Sequence, residues 1–283
     1  MTKPRPSQSK TLLSAAQYDK FARFLEARLG ITLGVNKQYL VSSRLSKVMR
    51  DFSYEDINIF IDQVVSQQNP NVSTGALEAM TTNETFWFRD EYPYQILAKH
   101  LLPNLASQKN KLRIWSSACS FGQEPYSIAM VIAEFQRQYP TAFANGVEIV
   151  ASDVSQQVLD FAKQGEYDEL AINRGLPTQM LQRYFESGVS NKACISAAIR
   201  SRVTFKKLNL LDSIAHLGSF DIVFCRNVLI YFEAERKANI LQKISALLHN
   251  EGALLLGASE SINGAEQHLR LKKCEQGLYY SKA

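Results

Sequence analysis

From about Lys111 onward, short apolar segments alternate with longer amphipathic ones, and this alternation restricts the fold more than any other feature of the chain. The segments LRIWSSA, GVEIVASD, RVTFKKLN, FDIVFC and GALLLGA have the continuous apolar character of strands buried on both faces. Between several of them lie PYSIAMVIAEFQRQ, SQQVLDFAKQ and AERKANILQKISALLH, which read as helices. Strand alternating with helix predicts an α/β domain, a doubly wound and mostly parallel sheet. Residues 164–200 break the rhythm and are expected to form an excursion with a small subdomain of its own.

The first quarter reads as helix throughout. In SAAQYDKFARFLEARLG, Tyr18, Phe21, Phe24, Leu25 and Leu29 form an apolar stripe, with Ser14 as N-cap and Gly30 as terminator. In NKQYLVSSRLSKVMRDF, Val41, Leu45, Val48 and Phe52 share one face, and SYEDINIFIDQVVSQ reads as a third helix capped by Ser53. The Asn, Pro, Ser and Gly cluster of residues 68–75 reads as a linker. The expected organisation is a flexible tail over 1–11, a helical domain over 12–75 and an α/β domain over 76–283.

Composition narrows the function. The four cysteines are scattered, with no C-x-x-C and no suitably spaced histidine, so no metal site and no disulfide framework are expected. No run approaches ~18 uninterrupted apolar residues, so a membrane span is not expected. The opening MTKPRPSQSK has no apolar core behind it and does not read as a signal peptide. A formal charge of +5 favours an acidic partner without marking a nucleic-acid binder.

Leu112 to Ser127 is the most informative segment: a buried strand, a small-residue loop, then a helix with Pro125 near its start. Ligands of open α/β sheets bind at the carboxyl ends of strands, where small residues permit close backbone approach. An ordinary βα turn is the plain alternative. Glu124 sharpens the reading. A helix N-terminus attracts anions, and a carboxylate placed there works against a pyrophosphate. With no G-x-G-x-x-G and no G-K-[ST], nucleotide phosphates are poorly served, and a cationic, phosphate-free adenosine derivative fits better. S-adenosylmethionine carries an ammonium that Glu124 could pair with. Asp153, at the end of the second strand, stands where acidic side chains accept from ribose hydroxyls; its alternative is capping the following helix.

At this point the sequence resembles the CheR family of chemotaxis receptor methyltransferases. The matching blocks, in order, are TTNETFWFRD (81–90), RIWSSACSFGQEPYS (113–127), ASDVS (151–155), KKLNLLD (206–212) and DIVFCRNVLIYF (221–232). The resemblance implies a small all-α domain before a Rossmann-like methyltransferase domain carrying an inserted β-subdomain. It implies S-adenosylmethionine as cofactor, S-adenosylhomocysteine as product, and transfer to glutamate side chains of methyl-accepting receptors. Carried over by position, cofactor contacts fall on Asn83, Thr85, Arg89, Glu124, Asp153, Asn209, Leu210, Cys225, Arg226 and Asn227, and Arg89 and Tyr231 flank the transferring methyl. The loop reads GQEP where many relatives have GEEP. The stretch 184–195 lacks the G-x-G-like insertion of members that grip a receptor's C-terminal peptide, so tail tethering is not expected.

Each of these residues also has a plainer reading. Arg89 could be a surface residue in a helix's first turn, Tyr231 a core aromatic with a wet hydroxyl, Asn83 and Thr85 helix caps, and Asn209 a strand-end turn residue. Arg44, Lys47 and Arg50 repeat at i, i+3, i+6 away from their helix's apolar face. A solvated face explains them, but in the resembled family this helix addresses acidic receptor bundles, which makes the three candidate receptor contacts. The expected enzyme is a cytoplasmic monomer recruited to membrane receptor arrays, without nucleic-acid binding or membrane insertion. A nucleic-acid methyltransferase and a non-catalytic receptor-binding module are the alternatives, with a nicotinamide oxidoreductase last.

Overall fold

The computed structural model describes residues 12–188 and 191–283. The expected tail 1–11, and Val189 and Ser190 within the stretch 184–195, lie outside the described residues. The chain divides into two compact units between Thr82 and Asn83.

The first unit is all α: α1 (Ala15–Leu29), α2 (Gln38–Asp51), α3 (Ile57–Ser66) and α4 (Pro70–Met80). Ser14 caps α1 by accepting from the Gln17 amide, and Gly30 ends it at φ 72°. Phe21 and Leu25 of α1, Val41 and Leu45 of α2, and Phe60 and Val64 of α3 are fully buried. Two expectations need correction. The cap of α3 is Asp56, which accepts from the amides of Asn58 and Ile59, whereas Ser53 sits in a left-handed turn at φ 59°. Residues 68–75 are no linker but lead into α4, with Asn69 as N-cap and Pro70 in its first turn. The Asn-Pro pair that marks a turn also marks a helix start, and Val72, Ala76 and Met80 supply the buried stripe that decides between them.

The second unit opens with α5 (Tyr92–Ile96), a π-helical turn (Leu97–Leu101) and α6 (Leu102–Ala106). Its sheet comprises β1 (Leu112–Ser117), β2 (Val147–Asp153), β6 (Val203–Lys207), β7 (Phe220–Cys225), β8 (Leu248–Leu256), β9 (Leu269–Cys274) and β10 (Gly277–Lys282), in the order β6-β2-β1-β7-β8-β10-β9. The first five strands of that order run parallel, and β10 and β9 add antiparallel edges. The doubly wound, mostly parallel sheet is as expected. The terminal hairpin was not legible, because RLKK in β9 is an exposed edge and lacks an apolar signal.

Alternating side chains feed two core layers. Ile114, Ile149, Ile222 and Leu255 pack with Ile128, Ala129 and Ile132 of α7 (Gln123–Gln138). Trp115, Val150, Val223 and Leu254 pack with Ile240, Leu241 and Ile244 of α12 (Ala234–Leu247). From β1 the chain winds outward through β2 and β6, then returns to β7 on the other side of β1. The strand order therefore reverses beside β1, which places the ligand crevice of such a sheet at its carboxyl tip.

After α8 (Gln156–Gln164), a separate antiparallel sheet of order β3-β5-β4 forms from β3 (Glu166–Tyr167), β4 (Phe185–Ser187) and β5 (Ala193–Ile195). It is accompanied by α9 (Glu169–Ile172), α10 (Thr178–Tyr184) and α11 (Ala197–Arg200). This is the inserted β-subdomain. Trp87 anchors it: its amide donates to the Arg174 carbonyl at 3.1 Å, and its ring meets Tyr167 and Phe185 edge-on at 4.8 and 5.4 Å. Gly175 follows at φ 87°, where a Cβ would collide with the Trp87 carbonyl oxygen. Gly175→Ala should therefore lower stability by about 2–3 kcal/mol, read by denaturant unfolding, against a smaller loss of about 1 kcal/mol at Gly146, which shares the positive φ but where a Cβ meets open space. The Gly146→Ala control isolates the collision from the backbone strain common to both.

Among the described residues, no helix is long and apolar enough to cross a membrane. No group of His, Cys, Asp and Glu among them is placed to hold a metal ion.

Candidate active site

The loop after β1 carries three residues with positive φ, Ala118 at 54°, Ser120 at 51° and Gly122 at 91°. Non-glycine residues seldom adopt this conformation, and its concentration at a strand tip marks a backbone bent for a purpose. At Gly122 a Cβ would lie 2.9 Å from the Ala162 Cβ and 3.1 Å from the Tyr167 hydroxyl, so glycine is required there. α7 begins immediately afterwards, with Glu124 in its first turn.

Glu124 is held from two sides. Oε1 accepts from the Ser116 hydroxyl at 2.8 Å, and Oε2 accepts from Nη1 of Arg226 at 3.1 Å. The Arg226 side chain, only 1% exposed, also donates to Asp90 Oδ2 at 2.7 Å and to the Arg89 carbonyl at 2.8 Å. Its guanidinium stands 5.9 Å from the Tyr94 ring centre. Burial pushes the Glu124 carboxyl above the ordinary range, with Arg226 and Ser116 pulling it back. For Arg226, burial opposes the charge, but Glu124 and its other neighbours outweigh it and keep the guanidinium above its ordinary value. Two carboxylates, Glu124 and Asp90, share one guanidinium, so the ionised cluster carries one surplus negative charge. With Glu124 and Arg226 largely buried and Asp90 at the solvent edge, a surplus of that sign suits a positively charged ligand and opposes a phosphate.

Asp153 organises the neighbouring tips. Its Oδ2 accepts from the Ser120 amide at 2.9 Å and its Oδ1 from the Ser155 amide at 3.0 Å. Capping of α8 falls to Ser155 rather than to Asp153. The Asp153 carbonyl accepts from Leu208 N at 2.9 Å, which draws in the end of β6. The Ser120 hydroxyl donates to the Asn83 carbonyl at 3.0 Å. Glu124 and Asp153 are thus tied to the same loop, from Ser116 to Glu124, at adjacent strand tips.

The remaining predicted residues surround this loop. Asn209 Oδ1 accepts from the Leu211 amide, and Leu210 is buried. Lys243 of α12 holds that turn by donating to the carbonyls of Leu210, Leu211 and Asp212 at 2.7, 3.0 and 2.9 Å. Cys225 ends β7 in register with Ser117, its thiol pushed upward by burial. Asn227 follows in the left-handed region at φ 57°. Tyr231 closes the 3₁₀ turn Leu229–Tyr231 and is half-buried.

Segment 83–91 is not the helix start allowed by its Thr, Asn and Glu content; it is extended and then turns, with Phe88, Asp90 and Glu91 at φ 50°, 65° and 49°. Thr85 is half-buried within it. Arg89 donates to the Glu84 carbonyl at 3.0 Å and stands 5.4 Å from the Phe86 ring centre. Arg44, Lys47 and Arg50 belong to the other unit, and there their circumstances differ. Arg44 donates to the Met80 and Thr81 carbonyls and to the Thr82 hydroxyl, capping the end of α4. Lys47 pairs with Asp51 at 2.8 Å, and Arg50 is exposed. Sequence reasoning missed Asp90, Ser116, Ser120, Lys243 and Glu260. Asp90 and the two serines lay inside the quoted blocks; Lys243 and Glu260 act on loops far from them in sequence and gave no local signal.

Comparison with known proteins agrees with this geometry. Residues 16–81 match the domain described as CheR methyltransferase, all-alpha domain, and residues 83–278 match CheR methyltransferase, SAM binding domain. This chain belongs to the CheR methyltransferase family. It is 48% identical to Chemotaxis protein methyltransferase 1 of Pseudomonas aeruginosa, covering 94% of this chain and 97% of that protein. It is 47% identical to Chemotaxis protein methyltransferase Cher2 of Pseudomonas putida, over 93% and 96% of the two chains. A Vibrio parahaemolyticus chemotaxis protein methyltransferase is 43% identical, over 95% and 97%. The second unit is accordingly an S-adenosylmethionine-binding methyltransferase domain, and the surplus negative charge at Glu124 and Asp90 fits that cofactor's cationic character.

Removing Arg226 leaves Glu124 and Asp90 without their shared cation. Arg226→Met should destabilise the protein by about 3–5 kcal/mol in urea unfolding at neutral pH. The deficit should shrink as the pH falls and Glu124 is neutralised.

Proposed function

We propose that this enzyme methylates glutamate side-chain carboxylates of methyl-accepting chemotaxis receptors, forming methyl esters. In this reading it works as a cytoplasmic monomer recruited to receptor arrays, without nucleic-acid binding or membrane insertion. The observation that carries the proposal is the net-negative cluster in which buried Arg226 joins Glu124 to Asp90, beside the loop that Asp153 holds through the Ser120 amide. Glu124 faces the cofactor's ammonium, Asp153 takes the ribose hydroxyls, and Asn209 with Leu210 borders the adenine. Asn83 and Thr85 line the same crevice from the turn before α5, as do Cys225, Arg226 and Asn227 from the tip of β7.

Bound there, S-adenosylmethionine supplies a sulfonium methyl that a carboxylate oxygen takes by direct displacement, the C–S electron pair staying on sulfur to give S-adenosylhomocysteine. A glutamate acceptor with a reference pKa of about 4.3 is already ionised at neutral pH, so the chain has no proton to remove and needs no histidine base. Its work is placement. Holding two groups in line is worth up to about 7–11 kcal/mol. An arginine clamped on the acceptor would stabilise the ground state and blunt the nucleophile. Arg89 therefore holds the cofactor's own carboxylate or only orients the acceptor, and Tyr231 offers the softer hydrogen bond.

Arg89→Ala should abolish measurable transfer in a radiolabelled-methyl assay while circular dichroism stays unchanged; normal turnover would remove Arg89 from the site. Because Glu124 titrates above an ordinary carboxylate, its charge is present at high pH and is lost as the pH falls through that raised value. Calorimetric affinity for S-adenosylhomocysteine should therefore decline as the pH is lowered through that raised value, and Glu124→Gln should flatten the decline. For receptor docking, charge reversal at Lys47 and Arg50 tests the exposed charges without disturbing the α4 cap made by Arg44. Receptor methylation should slow several-fold at low ionic strength and the difference should fade with added salt.

A further inference from the structure

Glu260 lies in the turn after β8, outside every motif that pointed to the site. Its Oε2 accepts from the amides of Asn227 at 2.7 Å and Gly257 at 2.8 Å. Its Oε1 accepts from the amide of Leu229 at 2.7 Å and, more distantly, from Ile230 at 3.4 Å. One carboxylate thereby gathers the backbone of two loops, and its own amide closes the turn by donating to the Gly257 carbonyl at 2.9 Å. At Gly257 a Cβ would lie 2.7 Å from Glu260 Oε2 and 2.8 Å from Asn227 Nδ2. Only glycine leaves space for the carboxylate between these loops.

The arrangement needs an ionised carboxylate of this length. A carboxylate is acceptor-only, and its charge strengthens each amide bond. A glutamine in its place would turn an NH2 group against backbone N–H donors on one side. An aspartate keeps the charge but is one methylene too short to reach both loops. The residues held are the ones that shape the turn ending in Tyr231, including Asn227 in its left-handed conformation.

We propose that Glu260 is a positioning residue for methyl transfer: it fixes the path of residues 227–230 and so the place of Tyr231, without touching either reactant. This rests on the reading of the site given under Proposed function. The cofactor's other supports, Glu124 and Asp153, are held by bonds that do not involve Glu260.

The test compares Glu260→Gln and Glu260→Asp in the full-length protein, alone and combined with Tyr231→Phe. Both Glu260 variants should lower kcat by about 10–30-fold while affinity for S-adenosylhomocysteine, for which Asn227 is one support among several, changes by less than about threefold. In the Tyr231→Phe background, the further loss should shrink to less than about threefold, because both changes remove one function. An equal loss in both backgrounds, or full activity in Glu260→Asp, would overturn the proposal; the latter would mean that only charge matters. Amide hydrogen exchange needs no turnover, and Asn227 and Leu229 should exchange faster in Glu260→Gln. Unaltered exchange there overturns the clamp. A wild-type protein that transfers no methyl to receptor carboxylates, with the clamp present in exchange, would instead sink the proposed function.

Discussion

The ion pair between Arg226 and Glu124 is the interaction on which the site depends. It joins the tip of β7 to the first turn of α7, and through Asp90 and the Arg89 carbonyl it also fixes the turn before α5. Pairing inside a protein repays desolvation only when geometry and additional hydrogen bonds are good. Here Ser116 supplies the second bond to Glu124, and the aromatic face of Tyr94 lies near the guanidinium. Because two carboxylates share one cation, the cluster is not closed electrically. That surplus gives the methyltransferase domain a physical reason to prefer a cationic adenosyl donor over a nucleotide phosphate.

The rest of the site is backbone geometry held by polar side chains. Asp153 ties the loop after β1 to the end of β2, Lys243 ties the turn after β6 to α12, and Glu260 ties the turn after β7 to the end of β8. The left-handed residues Ala118, Ser120 and Asn227 lie in these same segments, and Phe88 and Asp90 lie in the turn before α5 that Arg226 holds. Strained backbone survives only where surrounding bonds over-determine it. A rigid parallel sheet provides the fixed ends, and the charged tethers define the loops between them.

The first unit illustrates how one residue type serves two ends. Arg44, Lys47 and Arg50 look equivalent as a charged stripe. Only the folded helices reveal that Arg44 is spent on the carbonyls ending α4, while Lys47 has its own helical partner and Arg50 is exposed. Periodicity reports which face a residue occupies and is silent about what it meets there.

By itself the sequence determined the layered α/β sheet, the three leading helices and the strand-tip position of Glu124 and Asp153, because period-2 and period-3.6 patterns and strand-to-loop transitions are local. It misread 68–75 and passed over the β9–β10 hairpin, since an Asn-Pro turn signal is ambiguous and a charged edge strand is not apolar. The partners of Glu124 were decided only by tertiary structure. Arg226 reaches it, and Asp90 reaches Arg226, across long separations in the chain, as Glu260 reaches Asn227, and no local pattern encodes which charge will face which. Pairing of that kind follows from desolvation in the assembled interior, where an ionised group must find its counterpart or its amides, and that requirement exists only once the sheet has formed.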